Sequence, residues 1–156
     1  MPRNNLKSKK DITQALKRWL NYRQELIIQF NSLCHYRPFV QNAESAELKA
    51  ILLTFCQDLI DYVSMGQFEI FALLMKQIEE ISGGDLPSEV LIEELKQTTL
   101  AALEFSDKYA TAPDLRTLDT DLSYLGEKIA CRFDLEDDLV AYYPLNAEVT
   151  TKKKAG

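Results

Sequence analysis

At 156 residues with a formal net charge of −6, the chain is long enough to bury a core of its own and needs no disulfide or metal staple. Only five glycines and five prolines interrupt it, and Leu, Ile, Ala, Glu, Lys and Gln recur at helical spacing. This pattern points to an all-α, single-domain antiparallel bundle of about four to five main helices, the last one long. The acidic balance disfavours nucleic acid as a direct partner, because phosphate binding draws on clustered Lys and Arg, and favours a basic protein surface.

Residues 1–10 (MPRNNLKSKK) are basic and polar and read as a frayed start. Asp11 and Gln14 resemble a capping box. Behind them Leu16, Trp19, Leu20, Leu26, Ile27, Phe30 and Leu33 recur at three and four, which predicts a first helix over about 12–35. Arg23 falls on this stripe, where an apolar residue is expected. Either its stem lies over the core with the head in water, or the guanidinium points inward and a carboxylate from another helix must meet it.

Pro38, Asn42 and Ser45 mark a loop with a cap over 36–45, and Leu48, Ile51, Leu52, Phe55, Leu59 and Tyr62 predict a second helix from about Ala46. The spacing breaks at Gly66 and resumes with Phe68, Phe71 and Leu74. It predicts two helices meeting at a very tight corner, with Gly66 in the left-handed conformation that closes the first. Asp58 and Asp61 lie beside this joint, off the apolar stripe. The third helix is predicted over about 67–81, stopped by Gly83 and Gly84.

Asp85, Pro87 and Ser88 then start a fourth helix with Leu91, Leu95, Ala102, Phe105 and Tyr109 along its stripe. Thr98 and Thr99 make it the least apolar of the set. Thr111 and Asp114, around Pro113, signal the start of a last helix of nearly thirty residues, with Leu115, Leu118, Leu122, Leu125, Ile129 and Phe133, ending before Pro144. Gly126 in its middle costs about 1 kcal/mol relative to alanine, so the close approach of another helix is expected there. Arg132 and Glu136 are four apart and can pair along the helix or across to a neighbour. The basic tail from about 145, ending TTKKKAG, reads as flexible.

The chemistry of catalysis is sparse. A serine or cysteine nucleophile wants a histidine base, and the single histidine, His35, sits at a helix end without a patterned neighbour. No Glu-x-x-His pair exists for a di-metal bundle site. The run Asp134, Glu136, Asp137, Asp138 lacks the spacing and glycine of a calcium loop and reads as a solvated helix face. These features predict a protein that is not an enzyme and has no catalytic residue, metal or cofactor. Cys34, Cys56 and Cys131 are an odd number, far apart, and fit buried, reduced thiols. No apolar run reaches the roughly 18 residues of a membrane helix, and the basic start has no apolar segment after it, so a cytoplasmic protein without membrane contact is expected. What remains is a binding surface, with acids on the second, third and last helices and Tyr62, Phe68, Tyr142 and Tyr143 as candidate aromatic anchors or as core.

Three segments, RWLNYRQELIIQF at 18–30, FCQDLIDYVSMGQFEIF at 55–71 and LSYLGEKIACRFDLEDDLV at 122–140, together resemble the Rsd/AlgQ family of bacterial anti-sigma factors. The middle segment carries the most specific pattern, FCQ-x-L-x-DY-x-S-x-G-x-F. The resemblance implies a helical bundle that binds the housekeeping sigma factor of RNA polymerase, mainly through its C-terminal helix-turn-helix domain, and blocks promoter and core-polymerase contacts. It implies sigma contact by Asp61, with Tyr62, Ser64 and Phe68 as neighbours in the same motif; Asp58, the other carboxylate beside the joint, is a partner-binding candidate from its position alone. It also gives Arg23, Glu127, Arg132 and Glu136 a common explanation as an inter-helix polar network. Gln67 stands where the family usually has histidine, so an imidazole role there does not carry over. The alternatives from other classes are a generic helical adaptor and a small-ligand or metal-binding bundle; a homo-oligomer is possible but not predicted.

Overall fold

A computed structural model describes residues 9–82, 89–111 and 114–141, apart from the side chains of Lys9, Phe68 and residues 77–82. Among these residues every regular element is helical: α1 (Lys9–Cys34), α2 (Ala46–Met65), α3 (Phe71–Ser82), α4 (Glu89–Tyr109) and α5 (Leu118–Ala141), with a short 3-10 turn at Phe39–Asn42. The expectations for 1–8, for the glycine stop after α3, for Pro113 and for Tyr142 onward lie outside the described residues.

Each helix turns one apolar stripe inward. Trp19, Leu26 and Leu33 of α1, Leu52, Phe55 and Leu59 of α2, Leu95, Ala102 and Phe105 of α4, and Leu118, Leu122, Leu125 and Leu139 of α5 form one buried core. Side-chain pairs fix the directions. Tyr36 meets Glu47, Gln29 meets Asp58 and Arg23 meets Tyr62, so α1 and α2 run antiparallel. Lys108 meets Asp121 and Arg132 meets Thr99, so α4 and α5 do too. The packing runs α1 on α2, α2 on α4 and α4 on α5, while α1 and α5 hardly approach backbone to backbone. The fourth seam of the bundle is therefore the loose one.

Four local expectations change. First, Gly66 makes no corner: its φ of −58° and ψ of −52° are right-handed, and α2 passes into α3 through a π-helical turn, Gly66–Ile70, whose last bond runs from the Phe71 N–H to the Gly66 carbonyl. The wide turn adds a residue without ending the helix, so the shift in apolar spacing mimics a break. What requires glycine is space: a Cβ there would sit 3.1 Å from Arg132 Nη2 and 3.4 Å from Trp19 Nε1.

Second, α1 already runs at Lys9, so Asp11 lies within it rather than capping it. Third, α5 begins at Leu118, because Asp114 accepts the Arg116 N–H at 3.0 Å and closes a separate turn first. Fourth, Cys131 is exposed, although Cys56 is buried and Cys34 half-buried; all three thiols are free. The Ser45 cap forms as expected, its hydroxyl accepting the Leu48 N–H at 3.1 Å. The close approach expected at Gly126 is that of Phe30 from α1, whose Cζ lies 2.9 Å from where a Cβ would be.

Candidate functional site

Glu136 is fully buried and is the centre of a polar junction that joins four helices. Its position follows from α5's own stripe: Leu125, Arg132, Glu136 and Leu139 share one face, so two charged groups enter the core with the leucines. Arg132 donates from Nε to Glu136 Oε2 at 2.8 Å, one turn away on the same helix. Its Nη1 donates to Thr99 Oγ1 at 2.7 Å and to Thr98 Oγ1 at 3.1 Å on α4. From the other side Arg23 of α1 donates to Glu136 Oε1 at 2.9 Å and to Asp137 Oδ1 at 2.9 Å. The Tyr62 hydroxyl of α2 accepts from Arg23 Nε at 3.2 Å and donates to Glu136.

Aromatic rings enclose these charges. Trp19 stacks on Tyr62 with centroids 5.9 Å apart and planes 10° from parallel. The Arg23 guanidinium lies 4.8 Å from the Phe133 centroid, and that of Arg132 lies 5.3 Å from Phe71. Burial pushes the Glu136 carboxyl up, with Arg132, the Tyr62 hydroxyl and Arg23 opposing it. Burial, and after it the Glu136 charge, pushes the Tyr62 phenol well above its ordinary range. Arg132 Nη2 and Trp19 Nε1 are buried without a hydrogen-bond partner among the described residues, and both face the Gly66 notch. An isolated charge could not stay in such a place; two guanidinium groups converging on one carboxylate can.

Of the four residues expected in a polar network, the structure brings Arg23, Arg132 and Glu136 together. Glu127 is exposed on α5, and the junction's second acid is Asp137 instead. Helical geometry explains the difference, since residue 127 lies on a different face from 132 and 136. Thr98 and Thr99 were not anticipated as acceptors. Their signal was available: a hydroxyl at 98 interrupts the stripe of Leu95, Ala102 and Phe105 and has to find a polar partner inside.

The acids beside the π-turn separate. Asp58 is half-buried and accepts from the Gln29 amide of α1, so it is committed to the α1/α2 seam. Asp61 is exposed on α2 and takes part in no ion pair or hydrogen bond among the described residues. Tyr62 is 1% exposed, so its ring belongs to the core and offers no surface to a partner. Ser64 is half-buried. The Phe68 side chain lies outside the described residues. His35 is exposed just past α1, and no group of three His, Cys, Asp or Glu side chains among the described residues could hold a metal ion. No helix among the described residues is long and apolar enough to cross a membrane.

A family model described as "Regulator of RNA polymerase sigma(70) subunit, Rsd/AlgQ" matches residues 3–143. The protein named Regulator of sigma D from Yersinia pseudotuberculosis serotype O:1b (strain IP 31758) is 30% identical over 139 residues, covering 83% of this chain and 79% of its own. Its namesake from Yersinia enterocolitica serotype O:8 / biotype 1B is 30% identical over 141 residues, covering 83% and 80%. That of Enterobacter sp. (strain 638) is 30% identical over 136 residues, covering 82% and 79%. No solved structure matches the chain.

Proposed function

The chain belongs to the Rsd/AlgQ family of regulators of the RNA polymerase sigma(70) subunit, and from that premise we propose that it works as a cytoplasmic, non-enzymatic anti-sigma factor. In this reading it binds the C-terminal helix-turn-helix domain of the housekeeping sigma subunit and competes with promoter DNA and core polymerase for it. A domain that reads DNA is basic where it meets phosphate, so an acidic helical surface is a suitable competitor. The observation that carries the reading is the contrast between the two acids beside the π-turn: Asp58 is used internally, whereas Asp61, the acid of the family motif, is exposed and uncommitted.

Asp61 makes the contact, and the buried junction holds α1, α2 and α5 in the register that presents it. Tyr62 contributes as a positioning residue through Glu136 and Arg23.

The test is Asp61→Ala, with binding measured by titration calorimetry against the whole sigma subunit and against a version lacking its C-terminal domain. Wild type should bind only the former. The variant should lose about tenfold in affinity, an effect of roughly 1.4 kcal/mol, while its melting temperature stays the same, because an exposed, unpaired carboxylate adds little to the fold. Undiminished binding by the variant would overturn the role of Asp61, and equal binding of both sigma versions would overturn the choice of domain.

A further inference from the structure

The loose seam between α1 and α5 has a particular construction. It is bridged at one end by Arg23 with Glu136 and Asp137, and at the other by Arg37, which pairs with Asp119 at 2.7 Å and donates to Ser123. Between the bridges the helices part over an apolar groove of about 130 Å³, floored by Phe30 against Gly126 and walled by Ile27, Ile129, Ala130 and Phe133. That volume is well below the roughly 300–1,000 Å³ of small-molecule sites. It suits a single inserted side chain.

The two rims differ. On the α1 side the rim is Ile27, 36% exposed, so the edge is apolar. On the α5 side Glu127, Ala130, Asp134 and Asp137 follow one another at three, four and three residues and form one stripe along the groove. Arg23 neutralises Asp137, whereas Glu127 and Asp134 are exposed and have no ion pair among the described residues. An apolar slot with one greasy edge and one anionic edge selects a helix with an apolar ridge and cations along a single flank.

We propose that this groove is the anchoring site for sigma. One large apolar side chain from a helix of the sigma C-terminal domain enters between Phe30, Ile129 and Phe133. Lysines or arginines on the same helix lie along Glu127 and Asp134. The inference rests on the sigma-binding reading above but concerns a different face, since Asp61 is on α2 and the groove lies between α1 and α5. A domain that reaches both spans the outward surface of α1, where Ile28 is exposed.

Calorimetry with the full chain and whole sigma subunit tests it with two variants. Ala130→Arg places a long cation over the slot at an exposed helical position, where it can pair with Glu127 and Asp134 and leave the melting temperature unchanged or raised. It should weaken sigma binding by about tenfold or more, as for an anchor whose pocket is blocked. The double change Glu127→Gln and Asp134→Asn should weaken binding a few-fold at low salt and hardly at all near 1 M salt, where the screening length is about 3 Å.

If both variants bind like wild type while Asp61→Ala does not, the groove proposal is overturned and the anti-sigma reading stands. Failure of wild type to bind sigma overturns both. A concentration-dependent dimer that Ala130→Arg abolishes, with sigma affinity unchanged, would assign the groove to a second copy of the chain and overturn the proposal.

Discussion

Helix α5 carries two tyrosine–carboxylate pairs built from the same chemical parts in different surroundings. Near its start Asp121 accepts from the Tyr109 hydroxyl and pairs with Lys108 at 2.6 Å, with the acid and the lysine both partly in water. Near its end Glu136 accepts from the Tyr62 hydroxyl and from two guanidinium groups, with no exposure of its own. The acids respond in opposite directions. Lys108, and after it the Tyr109 hydroxyl, hold Asp121 below the usual carboxylate range, whereas burial pushes Glu136 up. Solvent, not partner type, sets the sign: where water remains the partners win, and where it is removed the desolvation cost exceeds what the partners return.

The largest effect that separates the two pairs should come from Glu136→Ala. It strips an acceptor from Arg132, Arg23 and Tyr62 at once and leaves a buried guanidinium uncompensated, which costs about 3–5 kcal/mol. Urea unfolding followed by circular dichroism would measure it. Glu136→Gln should cost less, because it keeps the shape and one acceptor while removing the charge that burial disfavours. Equal losses for the two variants would mean that the charge, rather than the packing and hydrogen bonding, holds the junction together.

Next in size is Gly66→Ala, which tests whether the junction tolerates any intrusion. The added methyl would meet Arg132 Nη2 at 3.1 Å, with Phe71 and Trp19 each at 3.4 Å. All three side chains are buried and packed against one another, so none can swing away. A loss of about 1–3 kcal/mol is expected, as for overpacking of a filled core, in spite of the gain of about 1 kcal/mol in helix propensity. The same unfolding experiment reads it, and a stabilised variant would mean that the junction has room for a methyl group and that the close approach does not require glycine.

How far these features could be read from sequence depends on what each residue's pattern fixes. Apolar periodicity is a property of one helix, and the five helices and most of their buried faces follow from it. Gly126 was legible because a glycine inside an unbroken stripe has few uses other than close approach. Gly66 was not, because a glycine at a shift of register signals a left-handed cap and a π-turn equally well, and only the three-dimensional approach of Arg132 and Trp19 decides between them. The inward turn of Arg23 could be posed as a question but not answered, since its carboxylate is 113 residues away. The difference between Asp58 and Asp61 likewise depends on Gln29, a residue of another helix. The candidate surface was legible as a motif, while its division into internal and exposed acids was not.

The smallest effect belongs to the wetter pair, and its value lies in its sign. Asp121→Asn should cost under about 1 kcal/mol at neutral pH, the ordinary worth of a solvent-screened ion pair. Because the folded state holds Asp121 below its ordinary value of about 3.9, the unfolded chain binds the proton more readily. The stabilisation is therefore present above about pH 4 and is lost as pH falls through the folded value. Glu136 runs the other way: its raised carboxyl contributes most below the ordinary glutamate value of about 4.3, and that contribution fades as pH rises through the folded value. Thermal unfolding of wild type, Asp121→Asn and Glu136→Gln between about pH 3 and pH 7 should give the two variants difference curves of opposite slope. Parallel curves would mean that Glu136 is governed by its arginines rather than by its burial, and the contrast between the two ends of α5 would then reduce to one of exposure alone.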